Sequence, residues 1–279
     1  MTGADQVTEA GQPGSPGIVC LSDGLAVTSQ PVVVAYGGGT NSTALLVGML
    51  ERGERPDLIL FADTGGEKPG TYTHTATVSD WCMSVGFPRI ETVRYANKAG
   101  QVITLYDKCI SGKMLPSIAY GFKSCSEKWK RRPQDRYVSQ WAPAQAAWAA
   151  GLKVVKLIGY DADEDRRAGI AEDAQYTYRY PLIQWGWDRD ECVAAIARAG
   201  LPQPGKSACF FCPNSTEAEI RALPPELQEK AVAMEDNAEL TTIAGLGRRF
   251  PWRDVIRSEK AQGRFDFGVP EMPCGCFDG

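Results

Sequence analysis

Pro31-Val32-Val33-Val34-Ala35-Tyr36, then Gly37-Gly38-Gly39-Thr40-Asn41-Ser42, then Thr43-Ala44-Leu45-Leu46-Val47 is the stretch that decides the fold. The unbroken apolar run reads as a buried strand, the glycines as a tight loop and the second apolar run as a helix. Glycines without Cβ atoms let backbone N–H groups approach an anion, and Thr40, Asn41 and Ser42 add side-chain partners beside the positive end of the helix dipole. The stretch therefore predicts a phosphate site. It matches neither G-x-x-x-x-G-K-[ST] nor G-x-G-x-x-G with its later acidic ribose ligand.

Working outward, apolar runs predict strands near 31–36, 57–62, 89–94 and 153–159, with a short one near 178–182. Helical patterns lie near 41–52, 71–85, 126–149 and 188–199. Strands alternating with helices predict an α/β fold, a parallel twisted sheet with helices on both faces. Residues 1–28, rich in Gly, Pro, Ser and Thr, read as a flexible leader, residues 29–213 as the nucleotide-binding domain, and 214–279 as a mainly helical extension ending in Cys274-Gly275-Cys276. The extension is expected to pack over the ligand edge of the sheet and return its cysteines to the site.

Three further segments carry polar groups at strand ends. They are Leu58-Ile59-Leu60-Phe61-Ala62-Asp63-Thr64-Gly65-Gly66-Glu67, Leu157-Ile158-Gly159-Tyr160-Asp161-Ala162-Asp163-Glu164 with Arg166 and Arg167, and Tyr180-Pro181-Leu182. Together with the glycine loop, from about residue 31 to 213, they resemble the adenine nucleotide alpha-hydrolase superfamily, which includes the phosphoadenylylsulfate (PAPS) reductases and ATP-dependent sulfur-inserting enzymes. The loop resembles that superfamily's S-G-G-x-D-S, departing from it at Gly37 and Asn41. The resemblance implies that Tyr36, Gly37, Gly38, Gly39, Thr40, Asn41, Ser42, Asp63, Thr64, Gly159, Arg166, Lys128 and Arg131 contact an adenine nucleotide. That nucleotide is ATP with Mg2+, or PAPS or adenylylsulfate. Catalytic expectations fall on Asn41, Asp63, Glu164, Cys274 and Cys276. Asp161, Asp163 and Glu67 read more weakly, as loop or cap positions.

Nine cysteines, an odd number, and no signal-peptide pattern point to reduced thiols and a cytoplasmic protein. Cys209-Phe210-Phe211-Cys212 carries a C-x-x-C pair able to reach one metal, and Lys123-Ser124-Cys125 resembles the superfamily segment that brings a further cysteine to it. Soft thiolates suit zinc or iron–sulfur alike. The resemblance favours a [4Fe-4S] cluster on Cys125, Cys209 and Cys212 with Cys274 as a fourth ligand, Cys276 or Cys109 being alternatives, or with one iron left open. Cys82 and Cys192 lie on apolar helix stripes and read as core.

The net charge of −4 does not announce a nucleic-acid binder, and no apolar stretch is long enough to span a membrane. Locally, Lys123, Lys128, Lys130, Arg131, Arg132 and Arg136 form a basic run with Trp129 and Tyr137 among them, read as a surface for a polyanion or nucleotide phosphates. The lone histidine, His74, reads as helix surface or a nucleotide contact and cannot complete a two-histidine motif. The resemblance implies three functions. The leading one is adenylation of a nucleic-acid acceptor coupled to sulfur transfer from a sulfur or electron donor protein. The alternatives are a sulfite-producing sulfonucleotide reductase and a non-catalytic nucleotide- and cluster-binding subunit.

Overall fold

A computed structural model describes residues 29–122 and 124–258. The leader 1–28, Lys123, Cys274 and Cys276 lie outside the described residues. Five parallel strands form one sheet: β1 (Val32–Tyr36), β2 (Leu58–Asp63), β3 (Ile90–Arg94), β4 (Val154–Ile158) and β5 (Tyr176–Arg179), in the spatial order β3-β2-β1-β4-β5. The chain starts at the centre, moves outward through β2 to β3, then crosses to the other side of β1 for β4 and β5. The topology therefore reverses between β1 and β4, and crevices that take ligands open at such switch points, outside the carboxyl ends of the strands.

The burial pattern follows the sequence. β2 and β4 are buried at every position, as apolar runs covered on both faces require, whereas the edge strands β3 and β5 alternate. Lys156, in the middle of β4, is the exception in chemistry: it is fully buried, pairs with Asp135 and lies 4.6 Å from the Tyr176 ring centre. Burial lowers its pKa.

On one face, α1 (Thr40–Glu51), α2 (Pro69–Ser84) and the helix Arg189–Arg198 bury Leu45, Leu46, Val78, Cys82, Cys192 and Ile196 against β1, β2 and β4. On the other, Val138 and Ala144 cover Val33, Leu60 and Ile158. A third core joins α3 (Leu105–Ser111) to Phe210, Phe211, Met234 and Trp252, so the segment after the C-x-x-C pair folds back onto α3. No helix among the described residues is long and apolar enough to cross a membrane.

Three expectations are corrected. The helix expected over 126–149 is broken into a single turn α4 (Ser124–Ser126), a π-helical stretch Glu127–Arg131, α5 (Arg132–Gln140) and α6 (Ala142–Ala149). Trp141 takes extended angles between α5 and α6, where Pro143 could not donate to a continuing helix. β5 ends at Arg179 because Pro181 opens α7 (Pro181–Trp185). His74 is buried rather than on the surface, its Nε2 3.0 Å from Thr43 Oγ1. The helices that follow are α8 (Arg189–Arg198), α9 (Glu217–Arg221), α10 (Pro225–Asn237) and α11 (Trp252–Arg257).

Candidate functional site

The glycine loop links β1 to α1 at the switch point. Gly38 has φ +78°, and a Cβ there would lie 2.9 Å from Thr71 Cγ2, so both conformation and space call for glycine. Ser42 Oγ accepts from the Gly39 N–H at 3.3 Å, and Thr43 Oγ1 donates to the Gly39 carbonyl at 2.8 Å. Beneath the loop, Thr43 Oγ1 also meets the Tyr36 hydroxyl at 3.1 Å. Tyr36 and His74 thus brace the loop from the core side, Tyr36 with its ring against Phe61. Burial holds the Tyr36 pKa up and the His74 pKa down.

β4 closes the crevice from the other side. A Cβ on Gly159 would lie 3.0 Å from the Asn41 carbonyl carbon and the Ser42 nitrogen, so strand end and first helical turn touch backbone to backbone. Asn41 Nδ2 donates to Asp161 Oδ2 and to Glu164 Oε2, both at 3.0 Å, and Arg189 donates to Asn41 Oδ1 at 3.2 Å. Burial, then the neighbouring Glu164, raises the Asp161 pKa. Arg166 is exposed; its neighbour Arg167 pairs with Glu164 and lies 4.2 Å from the Tyr160 ring centre.

Asp63, at the end of β2, is turned toward the adjoining loop and strand. Its Oδ1 accepts from the Gly65 N–H at 2.7 Å and the Tyr72 hydroxyl at 2.8 Å, and its Oδ2 accepts from Arg94 at 2.8 Å. Burial, followed by the hydrogen bond to Asp63, raises the Tyr72 pKa.

The C-x-x-C segment lies against this same edge. The Phe210 N–H donates to the Gly66 carbonyl at 2.7 Å and Glu67 bridges to Cys209, so the segment pairs with the loop after β2. The Cys212 N–H donates to the Cys209 carbonyl at 3.0 Å, closing the tight turn. Ser207 donates to the Gly37 carbonyl, which ties the segment directly to the glycine loop. Cys125, Cys209 and Cys212 then line one pocket with Thr64, Lys130 and Phe211. Thr64 Oγ1 stands 3.0 Å from Cys209 Sγ and donates to Glu67 Oε1 at 3.1 Å. Lys130, buried, lies 3.9 Å from the Glu67 carboxylate.

Three soft donors on one pocket fit a thiolate-bound iron–sulfur group or zinc, although no group of three or more His, Cys, Asp or Glu side chains among the described residues is drawn together as a metal cage. Cys82, Cys109 and Cys192 are buried elsewhere, their thiols pushed up to about 12 by burial. Cys109 belongs to the third core.

Much of the basic run is committed internally. Arg131 holds Glu127 at 2.6 Å, Arg132 lies 3.6 Å from the same carboxylate, and Lys128 lies over Tyr95 at 5.2 Å and Trp129 at 5.6 Å. The structure thus brings together the glycine loop, Asn41, Gly159 and Glu164 at the switch point, and Thr64, Cys125, Cys209 and Cys212 beside it. Sequence reading missed Ser207, Thr43 and Lys130 as parts of this assembly. Ser207 lies two residues before the first cysteine, and its partner Gly37 is 170 residues away, a pairing no local pattern marks.

No family model matches the chain, and no curated protein matches it. Among solved structures it is similar to the U34-tRNA thiolase NcsA from Methanococcus maripaludis with its [4Fe-4S] cluster, at 12% identity and a TM-score of 0.41, over 82% of this chain and 70% of that one.

Proposed function

We infer that the protein binds ATP at Gly37–Ser42, transfers AMP to an oxygen of a nucleic-acid acceptor and exchanges that oxygen for sulfur. The observation that carries this reading is the hydrogen bond from Ser207 to the Gly37 carbonyl, which sets a phosphate loop beside a pocket lined by Cys125, Cys209 and Cys212. Neither half alone points beyond simple nucleotide binding or a structural thiolate site; their contact supports a reaction that uses both.

The loop and the first turn of α1 hold the phosphates, with backbone N–H groups and the helix dipole stabilising negative charge on departing pyrophosphate. An acceptor oxygen attacks the α-phosphorus; an O–P bond forms and the bond to the β-phosphate's bridging oxygen breaks. The adenylated oxygen is then a leaving group, and sulfide displaces it with release of AMP. Cys125, Cys209 and Cys212 would hold an iron–sulfur cluster, which when bound would supply iron for binding sulfide or carrying electrons. Thr64 and Lys130 line the pocket beside these thiols, Lys130 adding a buried positive charge.

The test is product analysis with the anaerobically reconstituted full chain. Pyrophosphate release from ATP that depends on a transfer-RNA or DNA acceptor is expected, with no sulfite from PAPS or adenylylsulfate in the presence of thioredoxin. Robust sulfite production would instead establish the sulfonucleotide reductase.

A further inference from the structure

The rim of the cysteine pocket carries exposed groups that neither a nucleotide nor a thiolate site uses. After β3 the chain makes a hairpin beyond the carboxyl edge of the sheet, then returns to Thr64, whose carbonyl accepts from the Leu105 N–H at 2.9 Å. Ala96 pairs with Val102, and Asn97 Oδ1 accepts from the Ala99 and Gln101 N–H groups, both at 3.0 Å, so the tip is braced from within. That tip presents Lys98 to solvent.

Ser117 braces a second exposed group. Its carbonyl accepts from the Phe122 N–H and its hydroxyl from the Cys125 N–H, both at 3.0 Å. Phe122 is 68% exposed, yet it stands three residues before a cysteine that lines the pocket. Three residues after that cysteine, Lys128 lies 5.2 Å from the ring centre of Tyr95, at the base of the hairpin. Tyr95, Ile103, Trp129 and Cys125 pack into the third core, so the hairpin, Lys128 and Phe122 border the same pocket. Glu127, the one carboxylate between Cys125 and Arg132, is shared by Arg131 and Arg132, which leaves the stretch with positive charge in excess.

A bare aromatic ring beside cations in excess is the chemistry that single strands meet: a base stacks on the ring while phosphates meet the cations. A duplex offers the phosphates but keeps its base faces stacked inside. We propose that the Lys98 hairpin and Phe122 hold a single-stranded nucleic acid across the mouth of the cysteine pocket, one base on Phe122 and phosphates on Lys98 and Lys128. The proposal rests on the nucleic-acid acceptor reading above and adds that the acceptor is unpaired where it docks.

The full chain is titrated into a fluorescein-labelled strand of about twelve nucleotides of mixed sequence, and into the matching duplex, with anisotropy read at several salt concentrations. The wild type should bind the single strand more tightly than the duplex. Phe122→Ala should weaken single-strand binding about tenfold, the loss of one stacked base, and Lys98→Ala should reduce the salt slope by about 0.7. Both side chains are exposed, so both variants should keep the wild-type circular dichroism. No binding of the single strand by the wild type, duplex binding of equal strength, or wild-type behaviour in either folded variant overturns the proposal. Acceptor-dependent pyrophosphate release from ATP, measured in parallel, tests the underlying reading separately: binding with these variant effects but no release removes the reaction and leaves the surface standing, and release without them removes the surface alone.

Discussion

The Ser207 hydroxyl donates to the carbonyl of Gly37, 170 residues earlier in the chain. This bond joins the two halves of the site, because Gly37 opens the glycine loop and Ser207 lies two residues before the first cysteine of the C-x-x-C pair. Both partners are buried, so removing the donor leaves an acceptor unsatisfied.

Ser207→Ala should cost about 1–3 kcal/mol of stability by that argument. It should also uncouple the two halves. In the wild type, saturating nucleotide should slow alkylation of Cys209 and Cys212, read by mass spectrometry of the modified peptides; in Ser207→Ala the protection should fall markedly. Equal protection in both proteins would show that the bond carries no coupling.

Gly38→Val should abolish nucleotide binding while the protein still folds. A left-handed backbone conformation costs a non-glycine residue about 1–2 kcal/mol, and the new Cβ would lie 2.9 Å from the Thr71 methyl. Calorimetry with ATP and with PAPS is the measurement. Wild-type affinity for both in a folded variant would remove the phosphate-loop assignment.

Gly159→Ala tests the backbone contact across the switch point. Its Cβ would meet main-chain atoms of Asn41 and Ser42 at 3.0 Å, which cannot turn aside as a side chain can. Overpacking of this kind costs about 1–3 kcal/mol, and nucleotide affinity should fall with stability because α1's first turn must shift. Denaturant unfolding and calorimetry on one preparation read both quantities.

His74 gives a pH dependence. Burial lowers its folded-state pKa below the ordinary 6.5, so the unfolded chain takes up a proton at this position before the native one does. Its contribution to stability is complete above about pH 6.5 and is lost as the pH falls toward the lowered folded value. Chemical denaturation across pH 7.5 to 5 should show a steeper loss in the wild type than in His74→Gln. Parallel curves would place the titration elsewhere.

The parts of this architecture legible in the sequence were those with a local signal. β1 and β2 up to Asp63 are apolar runs and β4 is one interrupted only by Lys156, because both faces are covered, and the glycine loop and C-x-x-C pair announce themselves by composition. Cys82 and Cys192 were readable as core from helical spacing, and both are fully buried. What local pattern could not supply was long-range pairing: the bonds from Asn41 to Asp161 and Glu164 span 120 and 123 residues. The partner of Thr43 was equally hidden, since a lone histidine in a polar helical stretch carries no mark of burial. The break at Trp141 has a local cause in Pro143, which has no N–H to donate to the preceding turn.

The most direct measurement of the assembled site is the iron and acid-labile sulfide content of Cys125→Ser after anaerobic reconstitution, compared with the wild type and Cys192→Ser. Cys125 comes from α4, far in sequence from Cys209 and Cys212, yet faces the same pocket. Iron and sulfide should be bound by the wild type, retained in folded Cys192→Ser and lost in Cys125→Ser, as in Cys209→Ser and Cys212→Ser. Full iron and sulfide in Cys125→Ser, or a wild type that takes up zinc alone, would contradict the account.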